Sequence, residues 1–264
     1  RASAGRPPFF YASIFGPSDM TESTLVWAWM GLAVATFVVL LFRVAPYGRH
    51  LSTGWGPTIG HRMGWIIMEC VSPLALLVAA GGRIQETAHV LLVGLWIVHY
   101  LHRAIIYPFR ARWKHRQMPI IIMLSAVVFN MINGGLNGWG MSHVQVDGFW
   151  SHPMTWIGLA LFVGGATLNV VADQTLFSLR KENESGVYQI PHGGLYRWIT
   201  CPNYLGEIIE WIGFALIAGT IESASFAVWT VANLVPRAIQ HHRWYRATFD
   251  DYPERRKAVF PGML

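Results

Sequence analysis

Ionisable side chains inside apolar segments are the residues of this sequence best suited to chemistry. Glu69 lies in the apolar run GWIIMECVSP, and Trp96, Tyr100, Arg103 and Tyr107 share one helical face at i, i+4, i+7 and i+11. Burial disfavours a charged carboxylate, so we expect Glu69 to be protonated and to donate a hydrogen bond. Beside a Tyr hydroxyl it would form a pair of donors that polarise a carbonyl oxygen. A helix–helix hydrogen bond from Glu69 is the alternative.

A second polar stripe combines an amide, a carboxylate and a guanidinium. Asn169, Asp173 and Arg180 follow the spacing i, i+4 and i+11, with Lys181 beside the last of them. Such groups on one face can bind a sugar hydroxyl, a base edge and a phosphate. A solvated helix end with an intrahelical ion pair is the alternative.

Two carboxylates enter another apolar segment just after its predicted start. Pro202 suits the first turn of a helix, and Asn203, Glu207 and Glu210 then share a face at i, i+4 and i+7. Charged side chains within a membrane helix are costly, so solvation does not explain this pair. The three side chains are therefore candidate site residues.

A basic and aromatic stripe follows near the C-terminus. Arg237, His241 and Tyr245 repeat the spacing i, i+4 and i+8 on a polar helix. Basic residues at a helix end can lie along the membrane surface and need no ligand. They are also suited to binding a phosphate-bearing cofactor.

The composition predicts that these residues sit in a bundle of membrane helices. The chain has 264 residues, of which 53% are hydrophobic and 13% charged. Soluble domains carry about a quarter charged residues, so disorder, a disulfide scaffold and an ordinary cytosolic enzyme are excluded. Cys70 and Cys201 show neither metal nor disulfide spacing, so we expect two free thiols and no metal.

About seven membrane-spanning helices are expected, in one all-α membrane-embedded domain over residues 1–264. Residues 1–24 are interpreted as an irregular interfacial arm, and residues 236–264 as a cytoplasmic C-terminal segment. No glycine-rich nucleotide loop is present, so a nucleotide cofactor would not be held on a Rossmann sheet. The predicted spans are Leu25–Phe42, Met63–Gly82, His89–Ile106, Met118–Met131, Met154–Val171, Leu205–Ile221 and Ala224–Val235.

Loop charge predicts the orientation in the membrane. Most Lys and Arg residues fall in loops on one side, which is typical of the cytoplasmic face, so the N-terminus is expected outside and the C-terminus in the cytoplasm. The same bias explains the net charge of +6 without a nucleic-acid partner. We expect a multi-pass protein of a bacterial inner membrane, or of the endoplasmic reticulum if the source is eukaryotic.

Taken together, these segments resemble the steroid 5α-reductase family, the 3-oxo-5α-steroid 4-dehydrogenases. A bacterial homologue of the mammalian type 2 enzyme is the expected kind of member. The run from Asn203 to Gly213 is the most specific part of the resemblance. The motifs that carry it are Tyr47–His50, His99–Arg103, Tyr188–Leu195, Asn203–Gly213, Arg237–Tyr245 and Asp251–Pro253.

The resemblance implies a seven-helix membrane bundle that binds NADPH and reduces the 4,5 double bond of 3-oxo-Δ4-steroids. It places Glu69 and Tyr100 at the substrate 3-oxo group as catalytic residues, and Tyr47 near the substrate or the nicotinamide. It implies a cofactor site formed by Asn169, Asp173, Arg180, Tyr188, Asn203, Glu207, Arg237, His241 and Tyr245, with Arg103, Tyr107 and Arg116 near the cofactor.

Three positions depart from the pattern of the mammalian relative. Met68 replaces a Gln before the catalytic Glu, while Ser125 and Gln189 each replace an Arg. The two missing cations bring into question the contacts to the cofactor 2′-phosphate and the strictness of the preference for NADPH.

The implied mechanism delivers hydride to C5 while donors stabilise the charge on the carbonyl oxygen, and C4 then takes a proton. The apolar steroid is expected to enter from the lipid phase and NADPH from the basic cytoplasmic side. No obligate protein partner is inferred.

Other interpretations stay open from the residues. A related reductase could act on a sterol, a polyprenol or an enoyl thioester. A membrane methyltransferase of the isoprenylcysteine type has a loosely similar layout in its C-terminal half. A transporter or channel could use Glu69, Glu207 and Glu210 as an ion path.

Overall fold

The computed structural model describes residues 20–43, 54–111, 113, 116–182 and 188–263, and the described chain is mainly helical. Two short strands and several 3₁₀ turns connect the helices. The helices are α1 Met20–Phe42, α2 His61–Ala80, α3 Thr87–Tyr100, α4 Tyr107–Arg110, α5 Ile120–Met141, α6 Pro153–Glu182, α7 Pro202–Ala218 and α8 Ile221–Thr248. The predicted arm over residues 1–24 lies mostly outside the described residues, and its last part belongs to α1.

Among the described residues, five helices are long and apolar enough to cross a membrane. These stretches are Ser23–Phe42, His61–Arg83, Thr87–Arg110, Ile120–Met141 and Pro153–Leu179. The predicted sixth and seventh spans fall in α7 and α8: α7 has only 17 residues, fewer than the ~20 that cross a bilayer, and the second half of α8 is polar. The expected number of seven is therefore not confirmed, and the orientation of the termini stays a prediction.

A small β-ladder qualifies the all-α expectation. Strands β1 (Thr58–Gly60) and β2 (Gln117–Pro119) pair antiparallel, with Ile59 opposite Met118. Each strand has three residues, too few for alternating hydrophobicity to be visible in the sequence. The ladder joins the starts of α2 and α5.

A π-helical segment, Leu101–Ile106, connects α3 to α4 and changes the predicted face of this span. Pro108 has no amide hydrogen to donate to the preceding turn, which accounts for the wide turn before it. Tyr100, before this segment, packs toward α7 with its ring 6.3 Å from Trp211. Tyr107, after it, lies 5.6 Å from both Trp65 and Trp113. The four residues of the predicted stripe therefore do not all share one face.

Glycines bring α6 and α7 into close contact. A Cβ atom at Gly206 would lie 2.6 Å from the backbone nitrogen of Asn169, and one at Gly158 would lie 2.6 Å from the carbonyl oxygen of Gly213. Gly165 faces the backbone of Glu210 in the same way. Small residues permit such close packing of membrane helices. The contact sets the polar stripe of α6 directly against the polar face of α7.

The C-terminal segment folds back onto the start of α7. The Thr200 amide donates to the carbonyl of Lys257 at 2.8 Å, and the Cys201 amide donates to the carbonyl of Ala258 at 3.0 Å. The Thr200 hydroxyl also lies 2.8 Å from Nδ1 of His242 and 2.6 Å from the Tyr252 hydroxyl. We call this segment, which includes Tyr252, Lys257 and Ala258, the strap. It holds the residues that precede Asn203 in place.

We expect Gly165→Val to destabilise the protein because its side chain would meet the backbone of α7. Overpacking of this kind costs about 1–3 kcal/mol, measurable as a lower unfolding midpoint in detergent. Gly164→Val is the matched control, since a Cβ atom at Gly164 meets nothing within 4 Å. Equal shifts for the two variants would contradict the packing role.

The stability of the strap should depend on pH through His242. Burial, reinforced by Arg246, lowers the pKa of His242 from its ordinary value of 6.5. The unfolded chain therefore takes up a proton at higher pH than the folded protein. The stabilisation by neutral His242 is complete above pH 6.5 and is lost as the pH falls below it.

The test compares unfolding midpoints at about pH 7 and about pH 5. We expect His242→Asn to lower the pH 7 midpoint and to flatten the decrease toward pH 5. A variant with the wild-type pH dependence would exclude His242 as its cause.

Candidate active site

A cavity of about 590 Å³ lies among α1, α2, α3, α5, α7 and α8. Most of its wall is apolar and aromatic, and includes Trp29, Met68, Phe129, Trp211 and Phe226. Its polar wall consists mainly of Glu69, His99, Tyr100, Arg103, Asn130, Glu207, Asn233 and Arg237. A large apolar chamber with a few convergent polar groups is typical of a site for a small organic molecule.

Arg103 joins two carboxylates within the bundle. Its Nε lies 4.0 Å from Oε1 of Glu69 on α2, and its Nη2 lies 3.6 Å from Oε2 of Glu207 on α7. The guanidinium also lies 5.0 Å from the ring centres of Trp65 and Tyr107. One cation thus faces two carboxyl groups and is enclosed by aromatic rings.

Tyr100 borders the same cavity as Glu69. Its side chain is buried, its ring stacks on Trp96 at 5.5 Å, and its hydroxyl faces Ser72 of α2. Trp96 in turn contacts Trp211 at 4.9 Å. The aromatic core therefore holds the Tyr100 ring in one orientation beside Glu69. The structure brings the two predicted catalytic residues together from different helices.

A network of side chains links α6 to α7 next to the cavity. Nδ2 of Asn169 donates to the carbonyl of Asn203 at 3.1 Å and to Oε2 of Glu207 at 3.3 Å. Nδ2 of Asn203 donates to Oδ1 of Asp173 at 3.0 Å. Four of the predicted cofactor residues are thus in mutual contact, and Glu207 connects them to Arg103.

The basic stripe of α8 approaches the cavity at one end. Arg237 borders the cavity, and its Nη2 donates to Oδ1 of Asn233 at 3.4 Å. His241 lies one turn further on, with Nε2 3.1 Å from the hydroxyl of Tyr204. His241 therefore faces α7, while Arg237 one turn earlier borders the cavity.

Other predicted site residues form a separate group outside the cavity wall. Nη2 of Arg116 donates to the Tyr188 hydroxyl at 3.1 Å, and the Tyr188 ring lies 5.1 Å from Trp244. Tyr245 is buried and stacks on Tyr252 at 5.5 Å. The distance along α8 explains this, because the helix continues about two turns beyond Arg237 to reach Tyr245.

Two predicted site residues have no described side chain. Tyr47 falls in the stretch between residues 43 and 54. Arg180 belongs to the end of α6, but its side chain is not among the described ones. Their predicted roles stay predictions.

The contact between His99 and Glu210 was not predicted from the sequence. Nδ1 of His99 on α3 lies 2.8 Å from Oε1 of Glu210 on α7. Both side chains are largely buried, and His99 borders the cavity. A His inside an apolar span was the available signal, but its partner lies 111 positions away.

The cavity also reaches the outer surface of the bundle. Leu32 of α1 and Val128 of α5 border it and are 51% and 50% exposed. Both are apolar, as is the surrounding surface of these two helices. The opening between α1 and α5 therefore lies on the apolar side of the bundle.

Three known proteins to which the chain is similar are described as steroid 5-alpha-reductases or 3-oxo-5-alpha-steroid 4-dehydrogenases. The chain is 41% identical over 239 residues to the steroid 5-alpha-reductase DET2 of Arabidopsis thaliana, covering 86% of this chain and 90% of the relative. It is 37% identical over 241 residues to the 3-oxo-5-alpha-steroid 4-dehydrogenase 1 of Bos taurus, covering 88% and 93%. The human counterpart is 36% identical over 224 residues, covering 83% and 86%.

The family profile described as 3-oxo-5-alpha-steroid 4-dehydrogenase matches residues 116–264, which is more than half of the chain. These similarities favour a reductase over the methyltransferase and transporter interpretations. They also agree with a multi-pass membrane protein, as the apolar helices indicate. The chain therefore belongs to the 3-oxo-5-alpha-steroid 4-dehydrogenase family and is an oxidoreductase.

Proposed function

We propose that this protein uses NADPH to reduce the 4,5 double bond of 3-oxo-Δ4-steroids to 5α-dihydro steroids. The observation that carries the proposal is the meeting of Glu69 and Tyr100 on the wall of a mainly apolar cavity. The relatives, which are named as steroid 5-alpha-reductases and 3-oxo-5-alpha-steroid 4-dehydrogenases of plants and animals, support the same reaction.

Glu69 and Tyr100 would bind the 3-oxo group. Reduction of an enone places negative charge on the carbonyl oxygen, and a preorganised donor can lower the barrier by about 3 kcal/mol. Tyr100 can donate through its hydroxyl, and Glu69 can donate when protonated. Arg103 faces both Glu69 and Glu207, and one ionised carboxyl group is enough to balance its positive charge. Glu69 can therefore be the protonated one.

The side chains in and next to the cavity include the types of group that bind a nicotinamide dinucleotide. When bound, NADPH supplies the hydride that C5 receives. Arg103 and Arg237 are suited to its pyrophosphate, while Asn169, Asn203 and Asp173 offer amide and carboxylate groups to ribose and carboxamide. Arg116, Tyr188, His241 and Tyr245, with Tyr107 and Arg180, are proposed for the remaining contacts at the polar end.

The substrate is proposed to enter from the membrane. A steroid is almost wholly apolar, and the half-exposed Leu32 and Val128 mark an apolar opening of the cavity. NADPH carries several negative charges and is proposed to enter from the basic end near Arg237. The two ligands would then meet at Glu69 and Tyr100.

The first test measures NADPH oxidation and steroid products with purified protein in detergent and a Δ4-3-ketosteroid. We expect a 5α-dihydro product, identified by chromatography and mass spectrometry. Tight NADPH binding without this product would indicate a reductase of another unsaturated lipid. Absence of NADPH binding would contradict the proposed cofactor.

We expect Tyr100→Phe to lower turnover about 10²–10³-fold, because one donor to the developing oxyanion is removed. NADPH affinity, measured by titration, should stay nearly unchanged. Tyr196→Phe is the control: it removes a buried hydroxyl that donates to the carbonyl of Ala172, away from the cavity wall. Turnover of Tyr100→Phe at the control level would remove Tyr100 from the catalytic role.

Glu69→Gln should also reduce turnover severely, because an amide is a weaker hydrogen-bond donor to the 3-oxo group than a neutral carboxyl group. The matched control is Glu222→Gln, which changes a buried carboxyl group at the start of α8 outside the cavity wall. Wild-type turnover in Glu69→Gln would exclude Glu69 from the reaction.

A further inference from the structure

His99 occupies a position that the proposed roles of Glu69 and Tyr100 leave unused. It precedes Tyr100 at the end of α3, and the centres of the two rings are 5.1 Å apart. The imidazole borders the cavity, while its Nδ1 is bound to Glu210 at 2.8 Å. Among the described residues, Nε2 makes no hydrogen bond, so this nitrogen is available to a ligand.

The reduction of an enone needs a proton as well as a hydride. Once C5 has accepted hydride, the electron pair of the resulting enolate is shared between the oxygen and C4. Glu69 and Tyr100 are assigned to the oxygen, so the proton for C4 requires another group nearby. Solvent water or a side chain of the cavity wall could serve.

We propose that His99 is the general acid that protonates C4 of the substrate, with Glu210 as its positioning residue. This inference rests on the proposed function. Because the His99 and Tyr100 rings lie 5.1 Å apart and both border the cavity, the imidazole is near the carbons adjacent to an oxygen bound by Tyr100. The ring of Trp211, 4.6 Å from that of His99, further restricts its orientation.

The surroundings of His99 suit a histidine that carries a proton. Glu210 and Glu207 face it from α7 and Glu69 from α2, while Arg103 lies on its own segment and Arg237 on α8 lines the same cavity. A carboxylate bound to Nδ1 holds the imidazole in one orientation and stabilises its charged form. The opposite nitrogen then carries the transferable proton toward the cavity.

The step balances without a further reagent. NADPH, when bound, would supply the hydride and its electron pair for the C5–H bond. The Nε2–H bond of the His99 imidazolium then breaks, its electron pair stays on nitrogen, and the enolate pair forms the C4–H bond. The products are the saturated ketone, NADP⁺ and neutral His99, which regains its proton from water.

A purely structural pair is the competing explanation, in which His99 and Glu210 only hold α3 against α7. The two explanations differ in the pH dependence of turnover and in the rate at which the C4 proton is transferred. A structural contact would affect stability and leave the pH profile of turnover unchanged. A general acid would govern that profile.

The decisive variant is His99→Gln, compared with His102→Gln as the matched control. His102 lies three positions further along the chain, in the π-helical segment, and does not border the cavity. General acid catalysis contributes about 10²–10⁴-fold, so we expect His99→Gln to lower kcat by at least about 10²-fold. Its NADPH affinity and steroid KM should stay close to those of wild type, and His102→Gln should keep wild-type kcat.

The pH profile supplies the readout that a structural role would not move. Wild-type kcat should fall toward alkaline pH as the imidazolium is lost, and this limb should be absent in His99→Gln. Glu210→Gln keeps a hydrogen-bonding partner for Nδ1 but removes the charge, so we expect a smaller loss of kcat. It also provides a test if His99→Gln does not fold.

A third readout compares wild type with His99→Gln. In D₂O with NADP⁺ and the saturated ketone, we expect stereospecific exchange of one C4 hydrogen by wild type and at least about 10²-fold slower exchange by His99→Gln. If wild type reduces the steroid but His99→Gln retains its kcat and alkaline limb, the inference is wrong and the proposed function stands. If wild type does not reduce the steroid, the proposed function itself fails.

Discussion

A guanidinium placed between two carboxyl groups in an apolar bundle is the constraint on which the rest of this structure depends. An unpaired charge in such surroundings is strongly destabilising, so Arg103, Glu69 and Glu207 must be brought together from three helices. The Trp65 and Tyr107 rings enclose the cation and limit its movement. Convergence of α2, α3 and α7 at this point is therefore required as much by electrostatics as by apolar packing.

Two kinds of packing make that convergence possible. Glycines of α6 and α7 allow the backbones to approach closely, which aligns Asn169 and Asp173 with Asn203 and Glu207. Large aromatic rings fill the opposite side, where Trp96 and Trp211 link α3 to α7. Small residues thus set the polar half of the site and large residues the apolar half.

The resulting cavity has an apolar wall and a polar wall, which suits the proposed pair of an apolar substrate and a charged cofactor. Its apolar wall opens beside Leu32 and Val128, whereas its polar wall continues into the side chains around Arg237. An apolar enone and a charged dinucleotide could each approach through the part that suits its solvation. The reacting atoms would then meet where Glu69, His99 and Tyr100 share the cavity wall.

Composition and residue spacing by themselves determined a membrane-embedded helical protein, with Glu69, Tyr100 and the Asn203–Glu207 face as its candidate site, and the resemblance of its motifs to a known family added the reductase. These features could be predicted because an ionisable side chain in an apolar run and a helical repeat are local properties of the chain. Only the tertiary structure decided that His99 pairs with Glu210, that Tyr107 and Tyr245 pack outside the cavity wall, and that α7 approaches α6 through glycines. Contacts between residues far apart in sequence, and the register change of the π-helical segment, depend on how helices pack and therefore leave no local pattern.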